Sequence, residues 1–329
     1  MKELGNEATK KTISLLVPCY NEEAVLEKLY NRTVSVIANL PQYSFEFVFV
    51  NDGSKDHTLD ILKKLRYNDS RVSYVNLSRN FGKEIAMIAG IDYLNGDAVI
   101  IMDADLQDPP EMIPEMISWW EKGYDDVSAK RRSRKGESFF KKWSSHTYYK
   151  VLQKVSSIPI QPDVGDFRLL DKQCINALRT MRESQRYTKG MFSWIGFNKK
   201  EILFDRDARA AGKTKWNYRK LTNLAIEGIT SFTTIPLRIA SIVGCMLLVI
   251  GLADMVYVII SNLIQKNEIL NIPFVISLIL IMGGSQLLSV GIMGEYIGNV
   301  FKETKKRPLY LVKDYNGNLV IKQKGYEKM

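Results

Sequence analysis

Ala98-Val99-Ile100-Ile101-Met102-Asp103-Ala104-Asp105-Leu106-Gln107-Asp108-Pro109-Pro110 passes abruptly from an apolar run to carboxylates, an amide and two prolines. The apolar run reads as a buried strand. Two carboxylates at i and i+2 on a strand end suit a divalent cation that also takes substrate phosphates. The same pattern recurs upstream. Ile13–Val17 reads as a strand stopped by Pro18, Phe45–Val50 as a strand ended by Asn51-Asp52-Gly53-Ser54, and Val72–Leu77 as a third. Amphipathic stretches lie between them: Glu22–Leu40 with Asn21 as its cap, Lys55–Tyr67, and Lys83–Leu94. Strands alternating with helices predict an α/β fold with a parallel, doubly wound sheet. Ligands then bind beyond the carboxyl ends of the strands, and all of those ends are polar here.

The chain has 329 residues, with 46 Lys and Arg against 36 Asp and Glu, a net charge of +10. Cys19, Cys174 and Cys245 are too scattered for a disulfide framework or a CxxC metal site. His57 and His146 are the only histidines, which argues against a zinc hydrolase or a Ser-His-Asp enzyme. A metal is therefore expected to be a hard cation on oxygen ligands, Mg²⁺ or Mn²⁺. The polar stretch Met1–Thr12 lacks the apolar core of a signal peptide, so the N-terminal part is expected in the cytosol.

Charge is unevenly distributed. Lys130–Lys154 holds nine Lys or Arg and one Glu. Trp216–Ile235 reads as an amphipathic helix ended by Pro236, suited to a membrane interface. Ile239–Ile264 carries a single charge, Asp254, and Ile272–Ile292 none; each is long enough to span a bilayer. Arg219, Lys220 and Arg238 flank one side, and Lys302, Lys305, Lys306 and Arg307 the other, which places both termini in the cytosol. Gly283, Gly284, Gly291 and Gly294 allow close helix packing and predict a homo-oligomer. The basic tail suits an anionic lipid surface. Within it, Tyr310-Leu311-Val312 and Leu319-Val320-Ile321 around Asn316-Gly317 predict a small hairpin.

Val17-Pro18-Cys19-Tyr20-Asn21-Glu22, Asn51-Asp52-Gly53-Ser54-Lys55-Asp56 and Asp103–Pro110 resemble the nucleotide-sugar segments of inverting family 2 glycosyltransferases of GT-A fold. Val164–Leu170, Arg209–Trp216 and Gly294-Glu295-Tyr296-Ile297-Gly298 look like those of the polyprenyl-phosphate glycosyltransferases, which include dolichol-phosphate mannose synthases and bactoprenol glucosyltransferases. The resemblance covers about residues 12–310. It implies a GT-A domain over residues 1–215, an interfacial helix over 216–235, two transmembrane helices over 236–301, and a basic cytosolic tail over 302–329.

The resemblance further implies transfer of a hexose, glucose first, from a nucleotide diphosphate sugar to undecaprenyl or another polyprenyl phosphate at a bacterial plasma membrane. Pro18, Tyr20, Glu22, Asp52, Lys83 and Asp103 would bind the donor. Asp103, Asp105 and Gln107 would surround the metal. Arg131, Lys142, Ser145, Arg206 and Arg209 are candidates for the acceptor phosphate, because Lys and Arg offset its approach to a diphosphate of the same sign. Asp166 is the family-matched base. A phosphate monoester is already anionic at neutral pH, so Asp166 could equally position the acceptor or hold Arg168 or another cation. A loop around Gly212 could close over the donor. A flippase and a second transferase would act downstream. UDP-N-acetylglucosamine, UDP-galactose and GDP-mannose are the alternative donors. A processive polysaccharide synthase is disfavoured by the missing Gln-x-x-Arg-Trp segment, and nucleic acid by the acidic strand ends.

Overall fold

The computed structural model describes residues 10–132, 164–184, 186, 188–205, scattered positions between 237 and 260, and 272–320. Three α/β units and a fourth strand open the chain: β1 (Thr12–Cys19), α1 (Leu26–Ile37), β2 (Ser44–Asn51), α2 (Thr58–Asn68), β3 (Val72–Leu77), α3 (Lys83–Tyr93) and β4 (Ala98–Ile101). A short 3₁₀ turn and α4 (Ile113–Glu121) lead to β5 (Asp126–Arg131). The chain continues through β6 (Val164–Asp171), α5 (Lys172–Thr180), α6 (Thr188–Trp194) and β7 (Lys199–Phe204). It resumes with α7 (Ile272–Thr304), β8 (Val312–Tyr315) and β9 (Asn318–Leu319).

The strands form one sheet in the order β7-β5-β6-β4-β1-β2-β3-β8-β9. The expected parallel core is present in β4-β1-β2-β3. The sheet as a whole is mixed, because β6 runs antiparallel between β4 and β5, and β8 antiparallel on β3. Its core strands are apolar on both faces, as a doubly covered sheet requires. Leu15, Val17 and Phe47 face α1, α2 and α4, while Leu16, Val50 and Ile101 face α3, α5 and α6. Helix α3 lies very close to the sheet: a Cβ on Gly90 would stand 2.1 Å from a Leu16 methyl.

Helix starts differ from expectation. Helix α1 begins at Leu26, and Asn21 is not its cap; it sits at φ 56° in the loop beyond β1. Helix α2 begins at Thr58, three residues later than the periodicity implies.

The tail hairpin forms, with Asn316-Gly317 as its turn at φ 50° and 85°. It is not a separate appendage, however. Leu309, Tyr310 and Val312 are buried, and β8 extends the main sheet. The Tyr310 hydroxyl donates to Asp92 of α3 at 2.6 Å, and Arg182 takes the same carboxylate bidentately at 2.7 Å. Glu303, at the end of α7, accepts from the Ser184 backbone and hydroxyl.

Helix α7 is continuous over 33 residues, and Ile279, Leu287, Leu288, Val290, Ile297 and Phe301 are exposed along it. Among the described residues no helix is long and apolar enough to cross a membrane. The expected two-span hairpin is therefore not part of the described fold. The interfacial helix of 216–235 and most of the first expected span lie outside the described residues.

Candidate active site

Strands β1 and β4 are neighbours, and the chain leaves them in opposite directions across the sheet. That switch point opens a crevice at their carboxyl ends. Pro18, inside β1, and the half-buried Tyr20 and Glu22 beyond it form one rim. The loops after β1 and β2 hold each other. The Asn21 N–H donates to Ser54 Oγ and the Lys55 N–H to Asn21 Oδ1; the Glu22 N–H donates to Thr58 Oγ1. Glu23 and Asp56 exchange backbone and carboxylate bonds in the same way with the opposite loop. These crossed bonds satisfy the backbone groups that the first turns of α1 and α2 would have used, which explains the late helix starts.

Asp52 is buried at the end of β2, and its carboxylate accepts from the N–H groups of Phe81 (2.7 Å) and Gly82 (2.9 Å). Burial raises its pKa against the lowering effect of those donors. Asp52 thus holds the loop that begins α3 and presents Lys83.

Asp103 and Asp105 follow β4. The Asp103 N–H donates to the buried Asp108 at 3.0 Å, and the Gln107 N–H to Asp105 Oδ1 at 3.1 Å. Leu106 between them is buried at φ 61°, a left-handed conformation that costs a non-glycine residue about 1–2 kcal/mol. Such strain persists where surrounding structure imposes a geometry, and here it shapes the acidic turn.

The antiparallel register of β4 and β6 sets Ile101 against Arg168. Continued by two residues, it brings Asp166 opposite Asp103. The Lys83 ammonium lies between them, 2.5 Å from Asp103 Oδ1 and 2.6 Å from Asp166 Oδ2. Burial alone would lower the Lys83 pKa, but the two carboxylates raise it well above the usual lysine value. Burial alone would raise Asp166; Lys83, then Lys189 and Arg168, bring it instead to about 2. A carboxylate that acidic is ionised at neutral pH and a poor proton acceptor. As arranged, Asp166 holds a cation, and that cation is Lys83. Arg168 has another partner: its guanidinium bonds buried Asp126 at 2.9 Å and the Gly165 carbonyl at 3.0 Å, and stacks on Phe192.

The structure also brings in groups that the sequence did not single out. Glu84, beside Lys83, accepts the Thr188 N–H at 3.0 Å and so anchors the start of α6, which carries Lys189. Burial chiefly, with Asp166 second, pushes Glu84 up to about 7. No local pattern marks Glu84 or Lys189, since their neighbours come from distant parts of the chain. Arg131 ends β5 beside Phe204 of β7, on the far side of β6 from β4. Lys142, Ser145, Arg206, Arg209 and Gly212 lie outside the described residues.

Among the described residues no three His, Cys, Asp or Glu side chains converge as metal ligands. Two strand-end carboxylates still fit Mg²⁺ or Mn²⁺, which take one or two carboxylates and leave other positions to substrate phosphates and water. Asp103 and Asp105 would supply those oxygens, and the Gln107 amide would add a third donor.

Comparison with known proteins shows the family. Residues 14–179 match the model of Glycosyl transferase family 2. The chain belongs to that family. A further relative of this family 2 chain is an uncharacterised glycosyltransferase of Synechocystis, 45% identical and covering 93% of this chain and 96% of its own. A prophage bactoprenol glucosyl transferase homolog of Escherichia coli is 42% identical, covering 92% and 98%. Among solved structures, a glucosyl-3-phosphoglycerate synthase of Mycobacterium tuberculosis is 18% identical at a TM-score of 0.46, covering 67% and 76%.

Proposed function

We propose that this family 2 enzyme transfers glucose from a nucleotide diphosphate sugar to a polyprenyl phosphate, giving polyprenyl-phosphate glucose with inversion at the anomeric carbon. The observation that carries the reading is the strand-end cluster of Asp103, Asp105, Lys83 and Asp166. It joins acidic metal donors to a fixed cation where a diphosphate must sit. The bactoprenol names of full-length relatives support the lipid acceptor and glucose. UDP-glucose is the donor proposed first.

The acceptor phosphate is anionic and needs no proton removed. One of its oxygens attacks the anomeric carbon. The new C–O bond forms as the bond to the diphosphate breaks, and the diphosphate leaves with the electron pair. Lys83 contributes positive charge where that charge develops, and Asp166 keeps the ammonium in place. Lys189 adds a second cation beside Asp166. Asp103, Asp105 and Gln107 would hold a divalent cation, which would supply Lewis-acid neutralisation of charge on the departing diphosphate. Lys142, Ser145, Arg206 and Arg209, with Arg131, are proposed to steer the acceptor.

The lipid acceptor calls for a membrane, and the exposed apolar side chains of α7 are consistent with one. We place the enzyme at a bacterial plasma membrane, with 236–301 forming two spans, both termini cytosolic, and a homo-oligomer packed through the second span. The test is purified protein in nanodiscs with Mg²⁺ and undecaprenyl phosphate, offered UDP-glucose, UDP-N-acetylglucosamine, UDP-galactose and GDP-mannose separately. Mass spectrometry is expected to show a hexosyl-phosphate lipid from UDP-glucose. A product from another donor would change the sugar, and no lipid product from any of them would overturn the reaction.

A further inference from the structure

The strongest feature outside the acidic cluster is a cavity of about 370 Å³ at the carboxyl ends of β2 and β3. Its walls include Asn51, Ser54, Lys55, Arg79, Asn80 and, from the far end of the chain, Lys313 of β8. The volume falls within the range of small-molecule sites. The loop carrying Phe81, Gly82 and Lys83 separates it from Asp103 and Asp166. A ligand whose diphosphate sits at β4 and β1 would extend its other end along the strand ends toward this cavity.

Behind the cavity runs a chain of side-chain hydrogen bonds. Asn76 Nδ2 donates to Asp314 Oδ2 at 2.6 Å, Asn51 Nδ2 to Asn76 Oδ1 at 2.9 Å, and the Ser54 N–H to Asn51 Oδ1 at 3.2 Å. Asn51 and Asn76 are buried, so these amides have no water to turn to. Asp52 stands between Asn51 and Ser54 and fixes the Lys83 loop through Phe81 and Gly82. The loop has little freedom of its own. Gly53 is at φ +64°, and a Cβ there would lie 2.4 Å from the Arg79 carbonyl carbon. Asn316 Oδ1 accepts the Tyr74 N–H at 2.8 Å and pins the hairpin to β3 on the same edge.

We infer that the C-terminal strand is part of the donor site: Lys313 contacts the nucleoside end of the donor, and Asp314 positions the β2 loop through Asn76 and Asn51. This rests on the donor reading above. The chemistry suits a base bearing carbonyl oxygens, since Lys55, Arg79 and Lys313 offer only donors at their tips. Asp314 is a positioning residue that acts through two amides. Lys313 is a contact residue contributed from 233 to 262 positions further along the chain than its cavity neighbours Asn51 to Asn80.

The test uses the full-length protein and calorimetric titration with UDP and with GDP. Wild type is expected to bind at least one. Lys313→Ala is expected to weaken that binding about 10- to 100-fold, as loss of one charge-assisted hydrogen bond implies. Its melting temperature and its KM for undecaprenyl phosphate should stay at the wild-type values. Asp314→Ala should weaken nucleotide binding similarly, and Asp314→Asn, which still offers an acceptor to Asn76, should restore it. Unchanged nucleotide affinity in Lys313→Ala would overturn the inference while leaving the donor reading intact. So would a loss that extends equally to the lipid KM and the melting temperature. Failure of the wild type to bind either nucleotide would overturn the inference and the donor reading together.

Discussion

Replacing Lys83 by Met should make the enzyme slower yet bind divalent metal more tightly. Lys83 bridges Asp103 and Asp166 at 2.5 and 2.6 Å, so the two carboxylate oxygens lie within about 5 Å of one another. At an effective dielectric of about 20, two like charges at that separation repel by roughly 3 kcal/mol. The side chains are partly open, with 27% of Asp103 and 18% of Asp166 exposed, so screening leaves about half of that. In the wild type the ammonium supplies the compensation and occupies an Asp103 oxygen that a metal needs. Without it, a bound cation relieves the repulsion instead. The expected gain is about 1.5 kcal/mol, or roughly tenfold in metal affinity. Turnover should fall at least 100-fold, because the fixed positive charge near the diphosphate is gone. Mn²⁺ titration followed by electron paramagnetic resonance, without nucleotide, measures the affinity. Steady-state turnover at saturating metal measures the rate. Unchanged or weaker Mn²⁺ binding in Lys83→Met would refute the view that Lys83 and the metal share Asp103.

Asp103→Asn and Asp105→Asn should each lower turnover by about 1000-fold while the melting temperature holds, and full activity in excess chelator would exclude a metal role. Glu84 titrates near 7 in the folded state against 4.5 for the free group. Its folded pKa is raised, so the folded protein holds the extra proton, and the associated stability is present below about 4.5 and lost as pH rises through 7. Glu84→Gln should flatten that decline and exceed wild-type stability above pH 7 by up to about 3 kcal/mol, read from denaturant melts between pH 5 and 8. Asp126→Ala strands Arg168, whose side chain is 2% exposed, and should cost about 3–5 kcal/mol in the same melts, with Asp126→Leu/Arg168→Met together costing less than the single change.

Much of this was legible in the sequence. The periodicity of Val72–Leu77 matches β3 residue for residue, and the apolar run before Asp103 is β4, with its carboxylates at the crevice as expected. The misses share a physical cause. Asn21 looked like a helix cap because caps are local, yet its amide oxygen is taken by Lys55 from another loop. Val164–Leu170 reads as a motif, and no local periodicity marks it as the strand β6. Its place between β4 and β5 depends on pairings more than 60 residues away in sequence from β4, which no local pattern records. Lys83 was expected near the nucleotide, but its two-carboxylate contact required the register of β6. Asn316-Gly317 announced a turn, and nothing nearby announced that β3 would be its partner.

That last pairing bears on how the protein comes into being. Tyr74 and Asn76 meet residues 242 and 238 positions further along. At ribosomal speeds of about 5–20 residues per second, the edge of β3 waits on the order of tens of seconds for its neighbour. Through that interval the nascent domain has an open strand, a ready template for pairing with another chain. A chain stalled before residue 312 therefore leaves the β3 edge unpaired. Pairing of β3 thus depends on a segment translated long after it, and this margin of the sheet is late to form.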